Sequence, residues 1–169
     1  MPLAPDDLFA RLAALGIRTQ TVKHPPLFTV EQSKALRGEL PGGHTKNLFL
    51  KDKKDRMWLV TAEEDRPIDL KALGTALGAS GRVSFGSPER LMRHLGVIPG
   101  AVTPFGLVND TEGLVSFVLD EGLARHETLN FHPLTNEATT AIARADFLRF
   151  LEAIGHAPRL LALPAREPA

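Results

Sequence analysis

Apolar positions along the chain change their period from segment to segment, and the changes mark out interleaved helices and strands. Leu8, Leu12 and Leu15 recur at helical spacing with Gly16 behind them, which predicts a helix over 6–15 closed by a glycine cap. A short strand is predicted over 17–23, ending at His24-Pro25-Pro26. Thr29-Val30-Glu31-Gln32 reads as a capping box that opens a helix reaching Arg37. Beyond a loop over 38–43, the segments 45–50 and 57–62 read as two strands of a hairpin, joined by the charged turn 51–56. A helix is predicted over 69–77 and a short strand over 82–85. The next helix has Ser87 as its cap, Pro88 in its first turn and Gly96 as its stop.

A Gly/Pro loop over 97–105 comes next. The segments 107–109 and 114–119 then read as a second hairpin with Asp110-Thr111-Glu112-Gly113 as its turn. A helical turn, strands over 128–131 and 139–142, and a helix over 146–154 complete the body. The Pro-rich end, 158–169, reads as a frayed tail. Strands and helices intermix throughout, so the expected class is α/β (α+β mixed): one domain over 1–157, built as a mixed β-sheet flanked by helices.

Composition narrows the chemistry. The chain has 169 residues, 43% hydrophobic and 24% charged, the balance of an ordinary globular domain. It has no cysteine, which excludes disulfides, thiolate metal sites and cysteine nucleophiles. Its six histidines form no H-x-x-x-H or H-E-x-x-H pair, so neither a metal nor another cofactor is expected. The Walker, dinucleotide-binding and serine-hydrolase glycine motifs are missing as well. No basic n-region precedes an apolar run at Met1, and no apolar stretch approaches the roughly 20 residues that span a bilayer; a cytoplasmic location without membrane contact is the expectation. Lys plus Arg and Asp plus Glu both number 20, so any nucleic-acid contact must come from a local patch.

Four segments carry candidate chemistry. Lys46 enters an otherwise apolar strand, either as an edge-strand lysine that discourages aggregation or as a fixed ammonium for a phosphate or carbonyl oxygen. With Lys51, Lys53, Lys54 and Arg56 it forms a local basic stripe. The run 96–106 holds several glycines and prolines; it is either a plain connection or a stiff pocket wall whose backbone approaches a ligand closely. Asp120 closes a strand, where it either caps the next helix or meets a substrate amine, and Asn109-Asp110 is most simply turn chemistry. His132, held extended by Pro133, suits a proton shuttle near neutral pH and equally a structural hydrogen bond to a carbonyl.

The order of these segments carries more than any one of them. His24-Pro25…Phe28-Thr29-Val30-Glu31, Thr45-Lys46-Asn47-Leu48-Phe49-Leu50-Lys51-Asp52, Gly96-Val97…Pro99-Gly100-Ala101-Val102-Thr103-Pro104-Phe105-Gly106 and His132-Pro133…Asn136…Thr139 resemble the YbaK/prolyl-tRNA-editing domain family over about residues 6–157. Within that family the chain is most similar to the single-domain alanyl-tRNA(Pro) deacylases. The resemblance implies the YbaK-like fold and hydrolytic editing of alanyl-tRNA(Pro), with the aminoacylated acceptor end of tRNA(Pro) as partner and prolyl-tRNA synthetase as a further one. It implies Lys46, Gly100 and His132 as catalytic. Phe28, Thr45, Asn47, Ala101, Val102, Thr103, Pro104 and Asp120 would bind the aminoacyl group, and Lys51, Lys53, Lys54 and Arg56 would face tRNA phosphates. Two alternatives stay open: a cysteinyl-tRNA(Pro) deacylase, which the absence of tyrosine disfavours, and a non-catalytic module that binds nucleic acid or a synthetase.

Overall fold

The computed structural model describes residues 2–26 and 42–164; Phe28 and the helix expected from Thr29 to Arg37 lie outside them. Helix α1 (Pro5–Ala14) is followed by strands β1 (Thr19–Lys23), β2 (Gly43–Lys51) and β3 (Met57–Glu63), helix α2 (Leu70–Leu77), strand β4 (Ser84–Phe85) and helix α3 (Pro88–Leu95). A 3-10 helix (Pro104–Asn109) leads to β5 (Val115–Asp120), a second 3-10 helix (Glu121–Arg125), β6 (Thr128–Phe131), β7 (Ala138–Ala143), helix α4 (Arg144–Ala153) and β8 (Arg159–Leu161). The strands form a mixed eight-stranded sheet in the order β1-β7-β6-β2-β3-β5-β8, with β4 paired to β2. The β2–β3 hairpin is antiparallel from Thr45↔Glu63 to Lys51↔Met57, whereas β6 joins β2, and β5 joins β3, in parallel.

Strand alternation sends the side chains of β2 and β3 into two cores. Phe49, Met57, Leu59 and, from β5, Phe117 and Leu119 meet Leu8 and Leu12 of α1 and Phe147, Phe150 and Leu151 of α4. Phe105 sits fully buried at the centre of this core, edge-on to Phe131 at 5.6 Å and to Phe150 at 5.5 Å between ring centroids. On the opposite face Leu50, Trp58, Val60 and Val118 pack against Leu73 and Leu77 of α2. The helix starts follow from capping: Asp69 accepts from Lys71 N and Ala72 N, and Ser87 accepts from Arg90 N.

The Lys51–Arg56 turn is organised by one carboxylate. Asp52 accepts from the backbone N–H groups of Lys54 and Arg56 at 2.9 Å, from Ser80 N at 2.9 Å and from Arg56 Nε at 3.0 Å. Burial by itself raises its pKa, but the donors of Ser80, Arg56 and Lys54 outweigh it and hold the group at about 2, below its ordinary 3.8.

Two expectations are corrected. The second hairpin does not form: 104–109 is a 3-10 helix, and β5 pairs in parallel with β3 and β8 instead. Leu107 and Val108 are adjacent and both buried, which an alternating strand with one wet face cannot achieve, and Thr103 caps the helical turn. Nor is the segment from Pro158 simply frayed. It carries β8, beside buried His156, whose Nε2 contacts the carbonyl of Asp110 at 3.1 Å, and Leu163 enters the second core. The short apolar run Leu160-Leu161-Ala162-Leu163 had no polar alternation to betray it.

Candidate active site

Lys46 lies in β2 directly across from Ala62 of β3, on the face that carries Leu48 and Leu50. Its ammonium donates to the backbone carbonyl of Arg66. Burial lowers its pKa below the usual lysine value; nearby Asp65 and Glu64 oppose that shift and Arg66 adds to it. A half-buried cation of this kind has lost part of its water shell, so an incoming anion or carbonyl oxygen gains more from it than from a solvated lysine.

Thr45 and Asn47 point to the other face. Thr45 Oγ1 donates to Asn130 O at 2.7 Å, and Asn47 Oδ1 accepts from Thr61 Oγ1 at 2.5 Å. Their side chains therefore secure β2 to β6 and β3, and only their backbone adjoins Lys46.

His132 follows β6. Its Nδ1 lies 3.0 Å from Ala138 O, and because a carbonyl can only accept, Nδ1 carries the hydrogen. Nε2 of the neutral ring is then an acceptor. Burial is the main influence lowering the His132 pKa below 6.5; the Ala138 carbonyl raises it, His24 lowers it and Glu64 raises it. The ring is thus neutral at pH 7. His24 stands 6.3 Å away between ring centroids, fixed by Thr139 Oγ1 at 2.8 Å from its Nε2 and by Pro25 O at 2.8 Å from its Nδ1. The Glu64 charge acts on both groups, raising the Lys46 and the His132 pKa against the effect of burial.

The Gly/Pro loop closes on the same region. Gly100 has φ 91°, a conformation that favours glycine, and a Cβ there would stand 3.5 Å from Asn136 Nδ2. The loop is thereby apposed to the segment that follows His132. Ala101 and Thr103 are fully buried: Ala101 N donates to Ile98 O at 3.0 Å and Thr103 Oγ1 accepts from Phe105 N at 3.2 Å. Pro104 is buried too, while Val102 packs against the first core. These side chains hold the loop rigid from behind.

Asp120 is 1% exposed. It accepts from Gly122 N at 3.0 Å as cap of the second 3-10 helix, from Glu63 N at 3.2 Å and from Arg66 Nε at 2.6 Å. All three contacts are internal. Asp110 is likewise committed to the backbone of Leu114 and Val115. Lys51, Lys53, Lys54 and Arg56 are not brought to Lys46. They occupy the far end of the hairpin, where Lys51 lies 3.6 Å from Asp55 and Arg56 pairs with Asp52; five residues of strand between Lys46 and Lys51 span about 16 Å.

Sequence reasoning missed Glu64, Asp65 and Arg66. The signal available was the dense charge run Glu63-Glu64-Asp65-Arg66-Pro67 immediately after an apolar strand. A cleft of about 170 Å³ opens beside it, lined by His44, Glu63, Glu64, Asp65, Arg125 and His126. A larger cleft of about 690 Å³ runs between α1, Lys23, His24 and the loop from Pro133 to Ala138. Among the described residues no group of three or more His, Asp or Glu side chains is placed to hold a metal ion, and no helix is long and apolar enough to cross a membrane.

The chain belongs to the aminoacyl-tRNA editing domain family, whose model matches residues 24–150. It is 45% identical over 159 residues to the mouse (Mus musculus) prolyl-tRNA synthetase associated domain-containing protein 1, covering 92% of this chain and 94% of that one. It is 35% identical over 154 residues to the prolyl-tRNA editing protein ProX of Acetoanaerobium sticklandii, covering 90% and 93%. A solved structure described as a candidate trans-editing enzyme for prolyl tRNA synthetase shares the fold, with a TM-score of 0.68 at 19% identity over 97% of this chain and 99% of that one.

Proposed function

We propose that this chain is a trans-acting deacylase that hydrolyses mischarged alanyl-tRNA(Pro), releasing alanine and free tRNA. The observation that carries the reading is the half-buried Lys46 ammonium on β2 in a chain whose residues 24–150 match the aminoacyl-tRNA editing domain, with the neutral His132 ring following β6. Water adds to the ester carbonyl, the acyl C–O bond to the ribose breaks, and the ribose oxygen leaves with a proton. Lys46 stabilises negative charge on the carbonyl oxygen or on the terminal phosphate. His132 Nε2 accepts the proton of the attacking water. Backbone N–H groups of the loop aid the oxyanion; Ala101 N is already bonded to Ile98 O and Pro104 has no N–H, so Gly100, Val102 and Thr103 are the donors of this reading.

The logic of such an enzyme is size. A synthetase pocket built for proline discriminates against a smaller side chain by only about 1–3 kcal/mol, and a second, smaller site removes the error. Lys51, Lys53, Lys54 and Arg56 lie too far from the ester to touch it and serve in this reading as contacts to phosphates along the acceptor stem, with prolyl-tRNA synthetase holding the tRNA body. Side-by-side hydrolysis of alanyl-, cysteinyl- and prolyl-tRNA(Pro) tests the substrate. Alanine lost fastest and proline retained is the expected result; faster loss of cysteine reassigns the substrate, and three rates equal to those in buffer overturn the deacylase.

A further inference from the structure

Lys46 ends on a carbonyl whose own position needs an explanation. That carbonyl belongs to Arg66, which lies beyond the end of β3 in a turn closed by Arg66 N donating to Glu63 O at 3.0 Å. Pro67 narrows the Arg66 backbone toward extended conformations. The Arg66 guanidinium reaches across to β5, where Nε meets Asp120 Oδ2 at 2.6 Å, and Asp120 also accepts from Glu63 N at 3.2 Å. One buried carboxylate therefore ties down both ends of the turn. Gly122 completes the arrangement: a Cβ there would fall 2.7 Å from Arg66 Nη2 and 2.8 Å from Glu63 Oε1. The guanidinium lies in space that only a glycine leaves open.

Resting on the editing function proposed above, we infer that Arg66 is a positioning residue for the Lys46 ammonium, held in place by Asp120 and given room by Gly122. The chain of contacts runs from β5 through Arg66 to β2, over Ala62 of the strand between them. It fixes where the Lys46 ammonium points and supplies a second cation beside it, which keeps the lysine from being over-stabilised by Asp65 and Glu64. Asp120 thereby serves the site without meeting substrate.

Two variants of the full chain test this. Gly122→Ala pushes the guanidinium aside without requiring an unusual backbone, and Arg66→Gln removes its charge. For both, kcat on alanyl-tRNA(Pro) is expected to fall about tenfold or more, the scale of a slightly misplaced catalytic group, with KM changed less than about twofold. In parallel, NMR of protein labelled at lysine Cε and Nζ is expected to show the Lys46 signals shifted in both variants, with its titration midpoint raised in Arg66→Gln. Unchanged Lys46 signals in both variants overturn the positioning role whatever the kinetics. So does a loss expressed in KM alone. If the wild type fails to release alanine, the editing reading falls, and the lysine spectra alone decide whether Arg66 governs Lys46.

Discussion

Thr103→Val separates two roles for one residue, because valine keeps the shape of threonine and removes only its hydroxyl. In the structure Thr103 is fully buried and its Oγ1 accepts from Phe105 N at 3.2 Å, capping the 3-10 helix behind the Gly100 loop. The substitution leaves that buried N–H without an acceptor, at a cost of about 1–3 kcal/mol. A methyl in place of the hydroxyl in an apolar site returns up to about 0.8 kcal/mol. The net loss is about 0.2–2.2 kcal/mol, which for a chain of this size lowers Tm by up to about 9 °C. Calorimetry measures the shift, and deacylation kinetics at 25 °C measure the rest: KM for alanyl-tRNA(Pro) is expected to stay within about twofold of wild type, as uniform binding is untouched. An unchanged Tm with KM raised about tenfold would refute this reasoning and make the hydroxyl a substrate contact.

Three further predictions follow from single groups. The acidic limb of log(kcat/KM) against pH is expected below 6.5, since burial lowers the His132 pKa and the ring must be neutral to accept a proton; a limb above 6.5 contradicts that assignment. By linkage the unfolded chain takes up the His132 proton first, so this group weakens the fold as pH falls from 6.5. Asp52 acts in a lower window: its folded pKa is about 2 against 3.8 unfolded, so its stabilisation is complete above 3.8 and lost as pH falls through 2. Asp52→Asn is therefore expected to lower Tm at pH 7, with the gap to wild type shrinking between pH 3.8 and 2; a gap independent of pH removes the carboxylate from the account. Leu163→Ala is expected to cost about 2–3 kcal/mol in urea unfolding, since Leu163 is 5% exposed in the second core; no change would detach the segment around β8 from the fold.

Local signals were legible where local physics decides. The β2–β3 hairpin showed itself through apolar strands around a charged turn, and Ser87, Pro88 and Gly96 bounded α3 at Pro88–Leu95 as a cap, a first-turn proline and a glycine stop should. Lys46 stood out because a cation in an apolar strand needs a reason. Parallel pairing of β5 with β3 was invisible, since nothing in Val115–Asp120 states which neighbour it will meet. The same holds for the Glu64–Arg66 turn: its value depends on β2, β3 and β5 lying side by side, a tertiary fact. Asp120 shows the limit most plainly. A strand-end aspartate reads alike as cap or ligand, and only the approach of Arg66 and Gly122 N reveals its commitments.

The most direct test of the account is the rate of alanine release from alanyl-tRNA(Pro), with prolyl-tRNA(Pro) as control, for wild type and Lys46→Ala. The account predicts rapid loss of alanine, near-inert proline, and a fall of about 10²–10³-fold in kcat for the variant, the scale of removing one preorganised electrostatic group. Alanine released by wild type no faster than in buffer would contradict the editing function, and equal rates for the two proteins would take the chemistry away from Lys46.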